Sequence, residues 1–200
     1  MQNCYLDFNY RKATQALDYF AEKSSGTINK MKALKLVYFA DRYHLRKYGR
    51  LITNDTYFAM DNGPVASGAK DLAEESDFTG REAQNYASKY IEASAKYDYV
   101  SKKPTDKTEL SSSDIEALDY AWDKFGGLDE WAIVTLTHKY PDWSKHEVAL
   151  QTKDRVQMDL FDFFEDPTTR VDKCFELTDK DREIRREQLT ESLSIESIWR

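Results

Sequence analysis

The 200-residue sequence predicts a predominantly helical α+β fold: a helix-rich single domain with a small antiparallel β-element and a charged C-terminal extension. Three observations support this prediction. Apolar residues recur at intervals of three and four along several segments, which is typical of amphipathic helices. Two short aromatic segments flank a polar turn, as in a β-hairpin. From Gln151 onward the chain is highly charged and contains a single apolar cluster.

The composition narrows the possible classes of protein. Hydrophobic residues make up 40% and charged residues 32%, and no apolar run approaches the roughly 18–20 residues of a membrane helix. We therefore expect no membrane association. The net charge of −7 repels phosphate backbones, so we do not expect nucleic acid as the main partner. The N-terminal segment lacks the pattern of a secretory signal, so we expect a cytoplasmic protein.

The first two predicted helices form the centre of the domain. Asn9 can cap a helix over 10–23, and Thr27 can cap a longer helix that ends at Tyr48, where Gly49 supplies a left-handed residue. The stretch ALKLVYFA within the second helix is apolar nearly all round, which predicts a buried central helix. Its basic residues are interpreted as a solvated face: Arg42, Arg46, Lys47 and Arg50.

Short strands and turns follow. Residues 56–60 predict a strand, and DNGPVAS predicts a turn into a helix over 65–75, with Pro64 suited to its first position. Residues 76–88 are expected to be irregular. The segments YIEA and YDYVS predict a hairpin around Ser94-Ala95-Lys96.

The second half predicts three more helices before the extension. Ser113 and Glu116 have the spacing of a capping box for a helix closed by Gly126-Gly127. Further helices are predicted over 128–139 and 143–150. We divide the chain into a domain, 1–150, and a charged extension, 151–200, that is expected to be helical. The apolar cluster MDLFDFF (158–164) should pack either on the domain or on a partner, and we favour the domain for Phe161–Phe164.

Residues capable of catalysis or metal binding are sparse. The sequence contains no Gly-rich phosphate loop, no GxSxG and no HExxH, and its three histidines are not paired at helical spacing. Cys4 and Cys174 are interpreted as reduced thiols. We therefore predict no catalytic residue, no metal and no cofactor.

Asp41 is the strongest single candidate for a special role. It follows the apolar run and could be a base with a raised pKa, or a structural carboxylate bound by the amides of the Asn62-Gly63 turn or by Arg50. We expect Asp41, Gly63 and Pro64 to form one structural junction. We also expect His138 to be enclosed, making one backbone hydrogen bond in the loop that returns Trp143 to the core.

Two ordered blocks resemble a known family. KLVYFADRYHLRKYGRLITNDTYFAMDNGPVAS (35–67) and LSSSDIEALDYAWDKFGGLDEWAIVTLTHKYPDW (110–143) are similar to the hallmark segments of the Panacea domain of SocA-like antitoxins and phage-associated proteins. The resemblance covers roughly residues 5–150. The motif positions that we select from it are Tyr38, Asp41, Arg50, Thr56, Gly63, Pro64, His138 and Trp143.

The resemblance implies an antitoxin that is not an enzyme. Members of this family neutralise a toxin, usually encoded beside them, by direct binding. One alternative is a proteolytic adaptor that delivers the toxin to a AAA+ protease, and an uncharacterised enzyme is a further alternative. Part of the recognition is expected in the extension, where the sparse apolar residues of the last helix are candidates for partner binding: Leu189, Leu193, Ile198 and Trp199.

Overall fold

A computed structural model of the protein describes residues 6–167 and 176–198. The helices in these ranges are α1 (Tyr10–Lys23), α2 (Lys30–Tyr48), α3 (Ser67–Ala73), α4 (Arg81–Ala87), α5 (Ser112–Phe125), α6 (Glu130–Thr137), α7 (Pro141–Ser144), α8 (Glu147–Leu150) and α9 (Asp179–Ile198). The strands are β1 (Thr27–Asn29), β2 (Tyr57–Met60), β3 (Gly63–Ala66), β4 (Ile91–Ala93), β5 (Asp98–Ser101) and β6 (Val156–Gln157).

Helix α2 is the centre of the domain. It packs against α1, α5, α6, α9 and strand β3, and its apolar run Leu34–Ala40 is buried on every side. Phe39 stacks on Phe125 of α5 with ring centroids 3.9 Å apart. The predicted helix-rich α+β fold and the buried central helix are both confirmed.

Two small antiparallel sheets lie among the helices. One has the strand order β1-β5-β4, and the other has the order β3-β2-β6. Ile28 is opposite Tyr99 in the first sheet, and Phe58 is opposite Val65 in the second. The predicted hairpin of residues 90–101 is present as β4 and β5.

Two predicted helix caps are wrong by a few residues. Thr27 belongs to β1, which pairs with β5, so α2 begins later and Asn29 accepts hydrogen bonds from the amides of Met31 and Lys32 at 3.0 and 3.3 Å. The capping box of α5 consists of Ser111 and Asp114 rather than Ser113 and Glu116. In both helices a polar residue near the predicted cap accepts the hydrogen bonds of the first turn instead.

The turn after β2 also differs from the prediction. Residues 63–66 do not start a helix, because they pair with β2 as strand β3, and α3 begins only at Ser67. The polar stretch 76–88 is not irregular: it contains a 3₁₀ turn (Asp77–Thr79) and α4. Ala83, Tyr86 and Ala87 bury one face of α4, which packs against α1.

The extension contributes to the core of the domain. Phe163 and Phe164 are fully buried and Phe161 packs against the core, so the expectation that Phe161–Phe164 pack on the domain is confirmed. Helix α9 lies against α2 and against the 3₁₀ segment Leu160–Phe164. Among the described residues, no helix is both long enough and apolar enough to cross a membrane.

Candidate functional site

Asp41 lies at the centre of a neutral hydrogen-bond cluster. Its carboxylate is fully buried and accepts from the amides of Ile52 and Thr53 at 2.6 and 3.1 Å, from the Thr53 hydroxyl, and from the Tyr57 hydroxyl at 2.8 Å. Burial raises the pKa of Asp41, and the hydrogen bonds oppose this increase. Since both oxygens are occupied and no solvent reaches them, this carboxylate holds the turn after α2.

The expected junction of Asp41 with Gly63 and Pro64 is wrong, and so is the alternative partner Arg50. Asp41 binds the turn at 52–53 instead, because α2 ends at Gly49 with φ 75° and the chain folds back over the helix. Arg50 points to α5, where its guanidinium lies 3.1 Å from the Ser113 hydroxyl.

The tip of the β2–β3 hairpin is bound by a buried lysine. Lys35 is 1% exposed, and its ammonium donates to the carbonyl of Pro64 at 2.7 Å. Burial lowers the pKa of Lys35 to about 7. Gly63 has φ 93°, and a Cβ there would lie 2.5 Å from the Thr137 hydroxyl oxygen. Glycine is therefore required by both backbone conformation and space.

Asp55 and Thr56 connect the same hairpin to α3. The Asp55 carboxylate accepts from the amides of Gly68 and Ala69, each at 2.8 Å, and the Thr56 carbonyl accepts from the amide of Ser67 at 3.0 Å. These residues lie outside α3 but accept hydrogen bonds from amides in its first turn, so they cap the helix. Burial raises the pKa of Asp55 to about 7.

His138 and Trp143 form a stacked pair beside the hairpin. Their ring centroids are 3.7 Å apart and the rings are almost parallel, and the Trp143 indole donates to the carbonyl of Met60 at 2.9 Å. Trp143 thus returns to the core as expected, but His138 is half-buried rather than enclosed. Burial lowers the pKa of His138, the nearby charge of Lys35 adds to this, and a hydrogen bond with the backbone of Asp61 opposes it.

Two buried arginines of α2 were interpreted wrongly as part of a solvated face. Arg42 and Arg46 are 2% and 1% exposed. Arg42 donates to the carbonyl of Glu165 at 2.6 Å, while Arg46 donates to the carbonyl of Phe163 at 3.0 Å and pairs with Asp166. These contacts attach the segment 163–166 to the central helix.

Tyr38 and Asp142 complete this polar layer. The Tyr38 hydroxyl donates to the Asp142 carboxylate at 2.7 Å, and the Arg42 guanidinium lies 3.5 Å from the same oxygen. The signal that sequence reasoning missed is the spacing of Tyr38, Arg42 and Arg46, which places three polar groups on one face of an otherwise apolar helix.

Asp114 is a second buried carboxylate, and it lies beside a lysine, a histidine and an arginine. It accepts from Lys12 at 2.6 Å and from the Ser111 amide at 2.9 Å, and it lies 3.2 Å from His44 and 3.4 Å from Arg50. Burial alone would raise the pKa of Asp114, but the hydrogen bonds from His44 and Lys12 hold it well below its usual range. Asp114 thereby joins α1, α2 and α5.

The candidate partner-binding residues of α9 have unequal positions. Leu189 is fully buried against the domain and Leu193 is partly buried, so the prediction that Leu189 is open to a partner is wrong. The reason is that Arg182 and Arg186 attach α9 to the segment 161–166, with Arg182 2.7 Å from Asp166. Ile198 is 77% exposed, and Trp199 lies outside the described residues.

The described residues do not bring metal-ligating side chains together: within 6–167 and 176–198, no group of three or more His, Cys, Asp or Glu could hold an ion. Cys4 and Cys174 lie outside these ranges. Most of the motif residues instead form one connected interior, in which α2 is bound to the turn at 52–53, the β2–β3 hairpin and α7.

The fold and this interior define a helix-rich α+β domain assembled around one central helix and one β-hairpin. Residues 34–144 match the family model described as antitoxin SocA-like, Panacea domain, and the chain belongs to this family. The match contains both sequence blocks. A search of curated proteins found no match, and neither did a search of solved structures. Membership supports a role related to toxin–antitoxin systems.

Proposed function

We propose that this protein is an antitoxin that neutralises a cognate toxin by binding it directly, without catalysing a reaction. The observation that carries the proposal is the family match over residues 34–144. Most of the family's motif residues make contacts inside the domain, which supports a structural role for them.

The geometry of Asp41 and His138 supports this proposal. A general base must be able to contact its substrate, and the oxygens of Asp41 contact only protein donors. One face of the His138 ring is covered by its stack on Trp143, so only part of the imidazole is accessible. Recognition is therefore expected on exposed side chains, which can vary without altering the interior.

The test is a co-expression experiment with the product of the adjacent gene. We expect that product alone to arrest growth, and co-expression of this protein to restore growth and to form a complex that survives gel filtration. A chain that fails to restore growth would refute the proposed function. Measurement of the toxin level separates the alternative: direct neutralisation leaves the toxin abundant, whereas delivery to a AAA+ protease depletes it.

A matched variant tests the absence of catalysis. His138→Phe removes the imidazole but retains an aromatic ring for Trp143, so neutralisation should be unchanged when the melting temperature is unchanged. Loss of neutralisation by a folded His138→Phe protein would favour an enzyme.

A further inference from the structure

The outer face of the β2–β3 hairpin carries a cleft lined by both apolar and polar residues. Along β2, Tyr57 and Ala59 point into the core, while Phe58 and Met60 point outward and are only partly covered. Val65 lies opposite Phe58 on the neighbouring strand. Together with Phe78, Ser67 and the rim residues described below, they line a cleft of about 330 Å³. We call this the hairpin cleft.

Phe78 is the most unusual residue of this surface. It lies in the 3₁₀ turn Asp77–Thr79 and is 91% exposed. A phenylalanine exposed to this extent gains almost nothing from the fold of the single chain. Aromatic residues are enriched at protein interfaces, where a partner covers the ring.

The charges on the rim of the hairpin cleft restrict the partner. Lys70 pairs with Glu74 in α3, so its charge is compensated. The guanidinium of Arg155 lies 4.8 Å from the ring centroid of Phe58 and forms no ion pair within residues 6–167 and 176–198. Asp71 lies close enough to Arg155 for their charges to attract each other, but the two groups are too far apart to form an ion pair. Arg155 therefore presents a cation on an aromatic surface.

We propose that the hairpin cleft is the surface that binds the toxin, and that it accepts a segment in which an apolar side chain is flanked by an acidic residue. The apolar side chain would fill the cleft between Phe58, Met60 and Phe78, and the carboxylate would pair with Arg155. Arginine suits this role because its planar guanidinium can stack on a ring and bind a carboxylate at once. This inference rests on the proposed function.

The two faces of the β2–β3 hairpin have different roles. The inward residues of β2 and β3 contact α2 and fix the shape of the hairpin, with Tyr57 bound to Asp41 and Pro64 bound to Lys35. The outward residues are then held on a rigid support, which reduces the entropy that binding must overcome.

The experiment uses the full chain and the purified product of the adjacent gene. Phe78→Asp and Arg155→Glu should each weaken binding by about 30-fold in calorimetry, as expected for hot-spot residues. Tyr97→Asp is the matched control for Phe78, because Tyr97 is also a strongly exposed aromatic residue. Lys153→Glu is the control for Arg155, because it reverses an exposed charge in the same loop. Both controls should stay within about twofold of the unaltered chain.

The outcomes separate this inference from the proposed function. If the unaltered chain neither binds the probe nor restores growth, the proposed function fails and this inference fails with it. If the unaltered chain binds but Phe78→Asp and Arg155→Glu bind equally well, only the hairpin cleft is refuted. A concentration-dependent dimer that Phe78→Asp dissociates would also overturn the inference, since a second copy would then occupy the cleft. Circular dichroism melts confirm that each variant is folded.

Discussion

Asp41 of α2 and Asp114 of α5 are both fully buried carboxylates, yet the hydrogen-bond donors around them differ. Asp41 is bound by uncharged amides and hydroxyls, whereas Asp114 is bound by Lys12 and lies beside His44 and Arg50. Burial raises the pKa of Asp41, whereas hydrogen bonds from His44 and Lys12 hold the pKa of Asp114 well below its usual range. The comparison teaches that two carboxylates with equally inaccessible side chains can have pKa values shifted in opposite directions when their hydrogen-bond donors differ.

The two sites also stabilise different features of the fold. Asp41 fixes the path of one turn, because its four donors lie within residues 52–57. Asp114 joins side chains from three separate elements and also caps α5. The first site is local and neutral, and the second is long-range and ionic.

The largest loss of stability is expected when the side chain of Asp41 is truncated to alanine. Asp41→Ala leaves two amides and two hydroxyls without their acceptor in a place that water does not reach, which should lower the free energy of unfolding by about 3 kcal/mol or more. Asp114→Ala should cost about 2 kcal/mol, because Lys12 and Arg50 can turn toward solvent. Urea denaturation of both variants measures the difference. Equal losses, or a larger loss at Asp114, would contradict the comparison.

The pH dependence of the two asparagine variants should have opposite signs. The pKa of Asp114 is lowered on folding, so its contribution is present above about pH 4 and is lost as pH falls. The pKa of Asp41 is raised, so its contribution is greatest below about pH 4 and is lost as pH rises through the folded value.

Asp114→Asn should therefore be more destabilising at pH 7 than at pH 3, and Asp41→Asn more destabilising at pH 3 than at pH 7. Denaturation curves at both pH values provide the measurement. Trends of the same sign would contradict the opposite directions of the two pKa shifts.

The smallest effects separate the cations around Asp114. Lys12→Met removes a close and mostly buried donor and should cost about 1 kcal/mol, whereas Arg50→Met removes a guanidinium that is 45% exposed and 3.4 Å away and should cost at most about 0.5 kcal/mol. Thermal melts at low and high salt measure both losses. A larger cost for Arg50→Met would indicate that exposure does not weaken this pair.

Much of the fold could be predicted from the sequence because its signals are local. Helix α1, the buried run of α2 and the β4–β5 hairpin follow from caps, periodicity and turn residues that lie within each segment. The strand β1 could not be predicted in this way. Three residues carry too little pattern, and their conformation is set by pairing with β5 about 70 positions later.

The interior polar contacts were predicted less well for the same reason. The position of Asp41 after an apolar run predicts a partly buried carboxylate that needs donors, but its partners at 52–53 depend on how the chain turns back after Gly49. Arg42 and Arg46 look like solvated residues until the segment 163–166 is placed over them. A charged side chain can therefore be buried when a distant segment of the chain supplies a carbonyl that accepts its hydrogen bond.

The contacts of Arg42 also set an order of events during synthesis. Its guanidinium emerges from the ribosome well before its acceptor, because the carbonyl of Glu165 lies 123 residues later in the chain. At about 5–20 residues per second, the arginine waits roughly 6–25 seconds for that partner. Until then two cationic groups face the centre of an unfinished core. Residues 163–166, which are translated long after α2, therefore complete its packing, and a nascent chain that stops before residue 163 lacks the two carbonyls that accept from Arg42 and Arg46.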